Sequence, residues 1–155
     1  MICLDASICM KWYKEGEKFE KLALDLLDKI IDYSVDVVAN EWINLEVVRG
    51  LKRAQNIDKE INITNQDIKE SFDDIEILFE SLAIKKVRVS EVKTLAKEIE
   101  ISLDLYAADA VHLATTIFER CEFLVTDDNH LLKDDVRNYA KNNGVRIIKL
   151  DQLKI

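Results

Sequence analysis

The sequence predicts an α/β fold: a three-layer sandwich with a central, mostly parallel sheet flanked by helices. Short apolar, β-branched runs alternate with longer stretches whose apolar residues recur at helical spacing. Each parallel crossover needs a helix between its strands, and the alternation supplies one. No internal repeat, low-complexity tract or linker interrupts residues 1–155, so the chain reads as one domain, long enough to bury a core unaided.

The elements follow in order. Ile2 to Leu4 is a short apolar run ending at Asp5. Phe19, Leu22, Ala23, Leu26, Leu27, Ile30 and Ile31 share one helical face, opposite a charged one. Val35 to Ala39 reads as the second strand because β-branched residues dominate it. Residues 41–55 turn helical again, with Ile43, Val47, Leu51 and Ala54 as the buried stripe, and 65–82 repeat the pattern through Ile68, Phe72, Ile75, Phe79 and Leu82. Lys86 to Val89 alternates charge and valine like a half-buried strand, and Ser90 is the expected N-cap of a helix through Ile99.

Residues 104–120 form a helix with Ala107, Ala110, Ala114, Ile117 and Phe118 on its apolar side. Phe123 to Val125 is a short strand running into Thr126-Asp127-Asp128. A last helix over 129–142 stops at Asn143-Gly144, where glycine suits the left-handed position after a helix, and Val145 to Leu150 is the final strand.

Composition removes several function classes. No apolar run approaches the ~20 residues of a membrane span, and the opening MICLDASICMKW has no secretory leader pattern, so the expected location is the cytoplasm. Cys3, Cys9 and Cys121 sit among apolar neighbours and read as reduced core residues. Without a C-x-x-C pair, and with two histidines, neither a zinc site nor a histidine-rich centre is expected. A net charge of −8 opposes broad electrostatic capture of nucleic acid.

The acids carry the chemistry. Ligands of open parallel sheets bind at the carboxyl ends of strands. Asp5 follows the first strand and Asp127-Asp128 follow the fourth, so both open onto one edge. Like charges meeting in a crevice repel unless a cation lies between them. Glu46 and Asp109 sit within helices among apolar neighbours, where an unpaired carboxylate is expensive. Each acid alone has an ordinary reading as a turn residue, cap or helix-surface group. The four together fit one architecture.

These residues resemble the PIN-domain family, particularly the VapC-type toxins of prokaryotic toxin–antitoxin pairs. Ile2-Cys3-Leu4-Asp5-Ala6-Ser7 is similar to the family's first strand with its terminal acid. Asn40-Glu41-Trp42-Ile43-Asn44-Leu45-Glu46-Val47 is similar to the second motif, although Ala39-Asn40 stands where a proline often precedes the helix. Ala108-Asp109-Ala110-Val111-His112-Leu113-Ala114 is similar to the third motif, and Leu124-Val125-Thr126-Asp127-Asp128 to the fourth.

The resemblance implies a metal-dependent ribonuclease with Asp5, Glu46, Asp109 and Asp128 as its acids. Asp5, Asp109 and Asp128 would ligate Mg²⁺ or Mn²⁺, with Thr126 and Asp127 supporting. Glu41 competes with Glu46, but its place at a helix start has a dipole explanation. Oxygen-only ligands suit these hard cations. Arg49, Lys52 and Arg53 follow Glu46 and are candidates for guiding phosphates; Lys85, Lys86 and Arg88 form a second basic patch. His112, three residues after Asp109, is expected to pack or hydrogen-bond, and Trp12, Trp42 and His130 to be structural.

The partners implied are RNA, a second copy of the chain and a cognate antitoxin, with no membrane. Two other readings remain open: a housekeeping RNA-processing nuclease, and a non-catalytic module binding RNA or protein. A phosphoryl-transfer domain with Asp5 as nucleophile would want a second aspartate at the position of Ser7.

Overall fold

The computed structural model describes residues 1–57 and 62–154. Its strands are β1 (Ile2–Leu4), β2 (Val37–Asn40), β3 (Lys85–Val87), β4 (Phe123–Val125) and β5 (Arg146–Ile148), all parallel, in the order β3-β2-β1-β4-β5. The helices are α1 (Ala6–Cys9), α2 (Glu20–Ile31), α3 (Ile43–Ile57), α4 (Asn65–Ser81), α5 (Val89–Leu103), α6 (Ala107–Phe118) and α7 (Asp134–Asn142). Short 3₁₀ turns at Met10–Trp12 and Leu150–Gln152 complete the described elements.

Alternation along β1 divides the core. Ile2 and Leu4 face a cluster built with Leu26 of α2, Val47 of α3 and Ile75 of α4. Cys3 faces the opposite cluster, with Ile99 of α5, Leu113 of α6 and Val136 of α7. The three layers predicted from the strand–helix alternation are therefore present. Cys3, Cys9 and Cys121 are buried and unbridged. No described helix is long and apolar enough to cross a membrane.

The boundaries differ from expectation where local hydrogen bonds compete with periodicity. Arg88, not Ser90, caps α5: its backbone N–H donates to Glu91 Oε2 at 3.1 Å, and the Val89 N–H donates to Glu41 Oε1 at 2.8 Å. Glu41 is thereby occupied with a helix other than its own. Asp104 takes the left-handed region at φ 50° and separates α5 from α6, which starts at Ala107 instead of residue 104. Asp128 Oδ1 accepts the His130 N–H at 2.6 Å, and this local turn delays α7 to Asp134. Gly144 takes φ 80° after α7, as its position predicts.

β1 joins β2 on one side and β4 on the other. The chain reverses its winding there, and a crevice opens at the carboxyl ends of such neighbours. Gly50 lets α3 approach Met10: a Cβ there would stand 2.1 Å from Met10 Sδ, so the thioether lies on bare backbone.

Candidate active site

Asp5 ends β1 and is almost fully buried. Its Oδ2 accepts from the Ser7 hydroxyl, from the Ser7 N–H at 3.3 Å and from Thr126 Oγ1 at 2.7 Å. The two hydroxyls are used in the same way. Ser7 Oγ donates to Asp5 and accepts the Asp127 N–H at 2.9 Å; Thr126 Oγ1 donates to Asp5 and accepts the Asp128 N–H at 2.9 Å. One carboxylate oxygen thus fastens the start of α1 to the chain leaving β4.

The other Asp5 oxygen faces His112. His112 is fully buried in α6, and its Nε2 lies 3.2 Å from Asp5 Oδ1 and 2.7 Å from Glu46 Oε2. Neither approach is an aligned hydrogen bond, since Nε2 and Glu46 Oε2 both lack an in-line partner. The contact is one of charge and dipole, with the imidazole between two carboxylates. Burial alone would push the His112 pKa down, but Asp5 and Glu46 outweigh it and hold it well above its ordinary value.

Asp109 lies in the first turn of α6 and is 9% exposed. Burial, with Asp128 and Asp5 next in weight and Glu46 adding to them, raises its pKa to about 7, against a smaller opposing pull from His112. The other three predicted acids therefore all act on Asp109. Asp128 presents one oxygen to the His130 N–H. Asp127 turns elsewhere: its Oδ2 is 3.2 Å from Nζ of Lys11, a buried cation that is also 3.8 Å from Glu17.

The basic candidates are placed less centrally. Arg49 and Arg53 are exposed on α3. Lys52 donates to Gln55 Oε1 at 2.6 Å and Asn65 Oδ1 at 2.8 Å. In the second patch, Lys85 pairs with Glu119, Lys86 with Glu76 and Arg88 with Glu91.

Three contributors escaped the sequence reading. Lys11 has a visible signal, a single cation in the apolar stretch Ile8–Trp12 that must find an acid if that stretch is buried. Ser7 stands two residues after Asp5, at the spacing of a local side-chain cap. Asn40 closes the turn into α3, its Oδ1 accepting the Trp42 N–H at 2.8 Å, as an asparagine two residues before a donor can. Its amide nitrogen, 2.8 Å from His112 Nδ1, carries no such signal.

The residues fit a hard divalent cation. The acid set offers oxygen alone, Asp109 is raised by burial and then by neighbouring negative charge, and a buried Glu46 oxygen lacks an aligned donor. Among the described residues no three acidic, cysteine or histidine side chains are already gathered to hold an ion directly.

A family model described as PIN domain matches residues 2–135. No curated protein shows significant similarity to the chain.

Proposed function

The chain belongs to the PIN-domain family, whose members are generally nucleases using divalent metal ions, and from that premise we propose that it is a Mg²⁺- or Mn²⁺-dependent endoribonuclease, the toxin of a VapBC-type pair. The observation that carries this reading is the carboxyl of Asp109, raised to about 7 by burial first and then by the charges of Asp128, Asp5 and Glu46. In this reading Asp5, Asp109 and Asp128 hold the cation and Glu46 completes the acid set. A bound divalent cation supplies hydroxide near neutral pH by lowering the pKa of its water.

The chain's own residues position that chemistry. Ser7 and Thr126 lock one oxygen of Asp5 and leave the other facing His112. His112 separates Asp5 from Glu46. Lys11 holds Asp127 aside, leaving Asp128 as the fourth acid. Arg49 and Arg53 on α3 remain the candidates for guiding phosphates.

The partners of this reading are RNA, a second copy of the chain and an antitoxin. Exposed Leu45 and Ile77 on α3 and α4 offer apolar surface for protein partners. The deciding experiment is cleavage of a mixed RNA pool by purified protein with Mn²⁺, with Mg²⁺ and with EDTA, beside Asp5→Asn. The expected result is metal-dependent cleavage that the substitution abolishes. A folded protein that cleaves nothing under any condition overturns the enzymatic reading. A short reading frame directly upstream, whose product suppresses the cleavage, separates a toxin from an RNA-processing enzyme.

A further inference from the structure

We propose that Tyr106 and His130 form a stacking subsite for an unpaired base of single-stranded RNA on the rim of the carboxylate cleft, an inference that rests on the ribonuclease reading above. Tyr106 stands immediately ahead of α6, whose first turn carries Asp109, and 70% of it is exposed. His130, also exposed, lies two residues beyond Asp128. The pair therefore spans two of the elements that deliver the acids, and each ring adjoins a different carboxylate in sequence.

The rings meet edge to face, with centroids 5.2 Å apart and planes at 80°. Such a contact uses one face of one ring and an edge of the other. Both faces of the second ring, and one of the first, stay clear of the pair itself. The backbone beneath is fixed on both sides. The Tyr106 carbonyl accepts the Ala110 N–H at 3.0 Å, and the His130 N–H donates to Asp128. An aromatic platform held this way loses little freedom when a base settles on it. Tyr33, equally exposed, precedes β2 and belongs to the opposite edge of the sheet.

Charge favours such a platform. The chain carries a net charge of −8, and Lys85, Lys86 and Arg88 are each paired with an acid. Attraction for phosphates is correspondingly weak. Stacking needs no positive field, so it operates beside carboxylates that repel the backbone. It also selects single strands, because a duplex hides its base faces.

The test uses the full chain carrying Asp5→Asn, so that RNA is bound without being cut. Its affinity is measured by fluorescence anisotropy for a mixed-sequence single-stranded RNA octamer, the same octamer without bases, and a duplex. Adding Tyr106→Ala is expected to weaken single-strand binding roughly 5- to 150-fold, the loss of one stacked base. Tyr106→Phe keeps the ring and binds within roughly twofold of the parent, and His130→Ala weakens binding in the same direction as Tyr106→Ala. On the base-free strand Tyr106→Ala and its parent bind alike.

Equal single-strand affinity with and without Tyr106→Ala overturns the subsite. So does an equal Tyr106→Ala effect on the base-free strand, a preference for the duplex, or no RNA binding at all. Metal-dependent cleavage by the native protein with no role for Tyr106 removes the subsite and leaves the nuclease standing. Tyr106-dependent binding without cleavage does the reverse.

Discussion

Asn40 Nδ2 lies 2.8 Å from His112 Nδ1, while Asn40 Oδ1 receives the Trp42 N–H at 2.8 Å. The second bond fixes the first: with its oxygen on a backbone donor, Asn40 can offer the histidine only N–H. His112 Nδ1 must then accept, and the ring proton sits on Nε2, toward Asp5 and Glu46. The two carboxylates pull the imidazole toward its protonated form, while an N–H facing Nδ1 disfavours a second ring proton there. Asn40→Asp replaces that donor with an acceptor and transfers a proton to Nδ1, which the ¹⁵N chemical shifts of His112 will register. Asn40→Ala leaves a buried ring nitrogen and the Trp42 N–H without partners, a loss of about 1–3 kcal/mol in denaturant unfolding. Unchanged histidine shifts in Asn40→Asp contradict the tautomer.

Asp109 makes the metal-free protein sensitive to pH. Its pKa moves from 3.8 to about 7 on folding, through burial first and then Asp128 and Asp5. Between those values the folded state holds more protons than the unfolded one, so this group's contribution to stability falls as pH rises from about 4 to about 7, then levels. The difference in urea midpoint between native protein and Asp109→Asn, measured in EDTA, should therefore move in favour of the variant across that window. A difference that stays constant refutes the raised pKa.

Divalent cations should reverse that loss. A ligand at 100 times its dissociation constant stabilises by about 2.7 kcal/mol. Because the ligands bind as carboxylates, the rise in Tm with Mn²⁺ should grow as pH passes about 7 and shrink in Asp109→Asn. A Mn²⁺ shift of equal size at pH 5 and pH 8 argues against Asp109 as a ligand.

Lys11 and Asp127 form a pair whose side chains are 8% and 17% exposed. Removing one member strands the other charge, so Lys11→Met should cost about 3 kcal/mol, the lower end for a buried pair with one partner near the surface. Asp127→Asn in the same chain should restore part of it. Additive losses in a double-mutant cycle disprove the coupling.

The hydroxyl of Thr126 serves Asp5 and the Asp128 N–H together. Thr126→Val should lose about 1–3 kcal/mol of stability and most cleavage, while Thr126→Ser retains both bonds and most activity. Equal cleavage by the valine variant excludes Thr126 from the positioning of Asp5.

The layered fold was legible because strand and helix periodicities differ, and β4 was readable to the residue because Phe123–Val125 is apolar and abruptly ends in polar groups. α1 was not, since Ala6–Cys9 is too short for any period to emerge. Ser90 looked like a cap because its side-chain type favours that role; Glu41, 48 residues from Val89, supplies the donor's partner from outside the segment, which no local pattern displays. The same limit governs the site. Asp5, Glu46, Asp109 and Asp128 were marked by their places after strands or within apolar helices. Asn40 and Lys11 act through partners 72 and 116 positions away in the chain, and such partners exist only once the sheet has closed.

β1, the earliest strand among the described residues, is also the middle one of the sheet. β1 is flanked by β2, soon after it, and by β4, whose Thr126 reaches Asp5 across 121 residues. Contacts of that span form late, because a long loop must be closed before they repay its entropy. A growing chain therefore displays Asp5 and Glu46 long before Asp128 exists, by on the order of 4–16 s at ordinary ribosomal speed. During that interval the cleft has one wall. The acid set is complete only once β4 and the residues that follow it have joined β1.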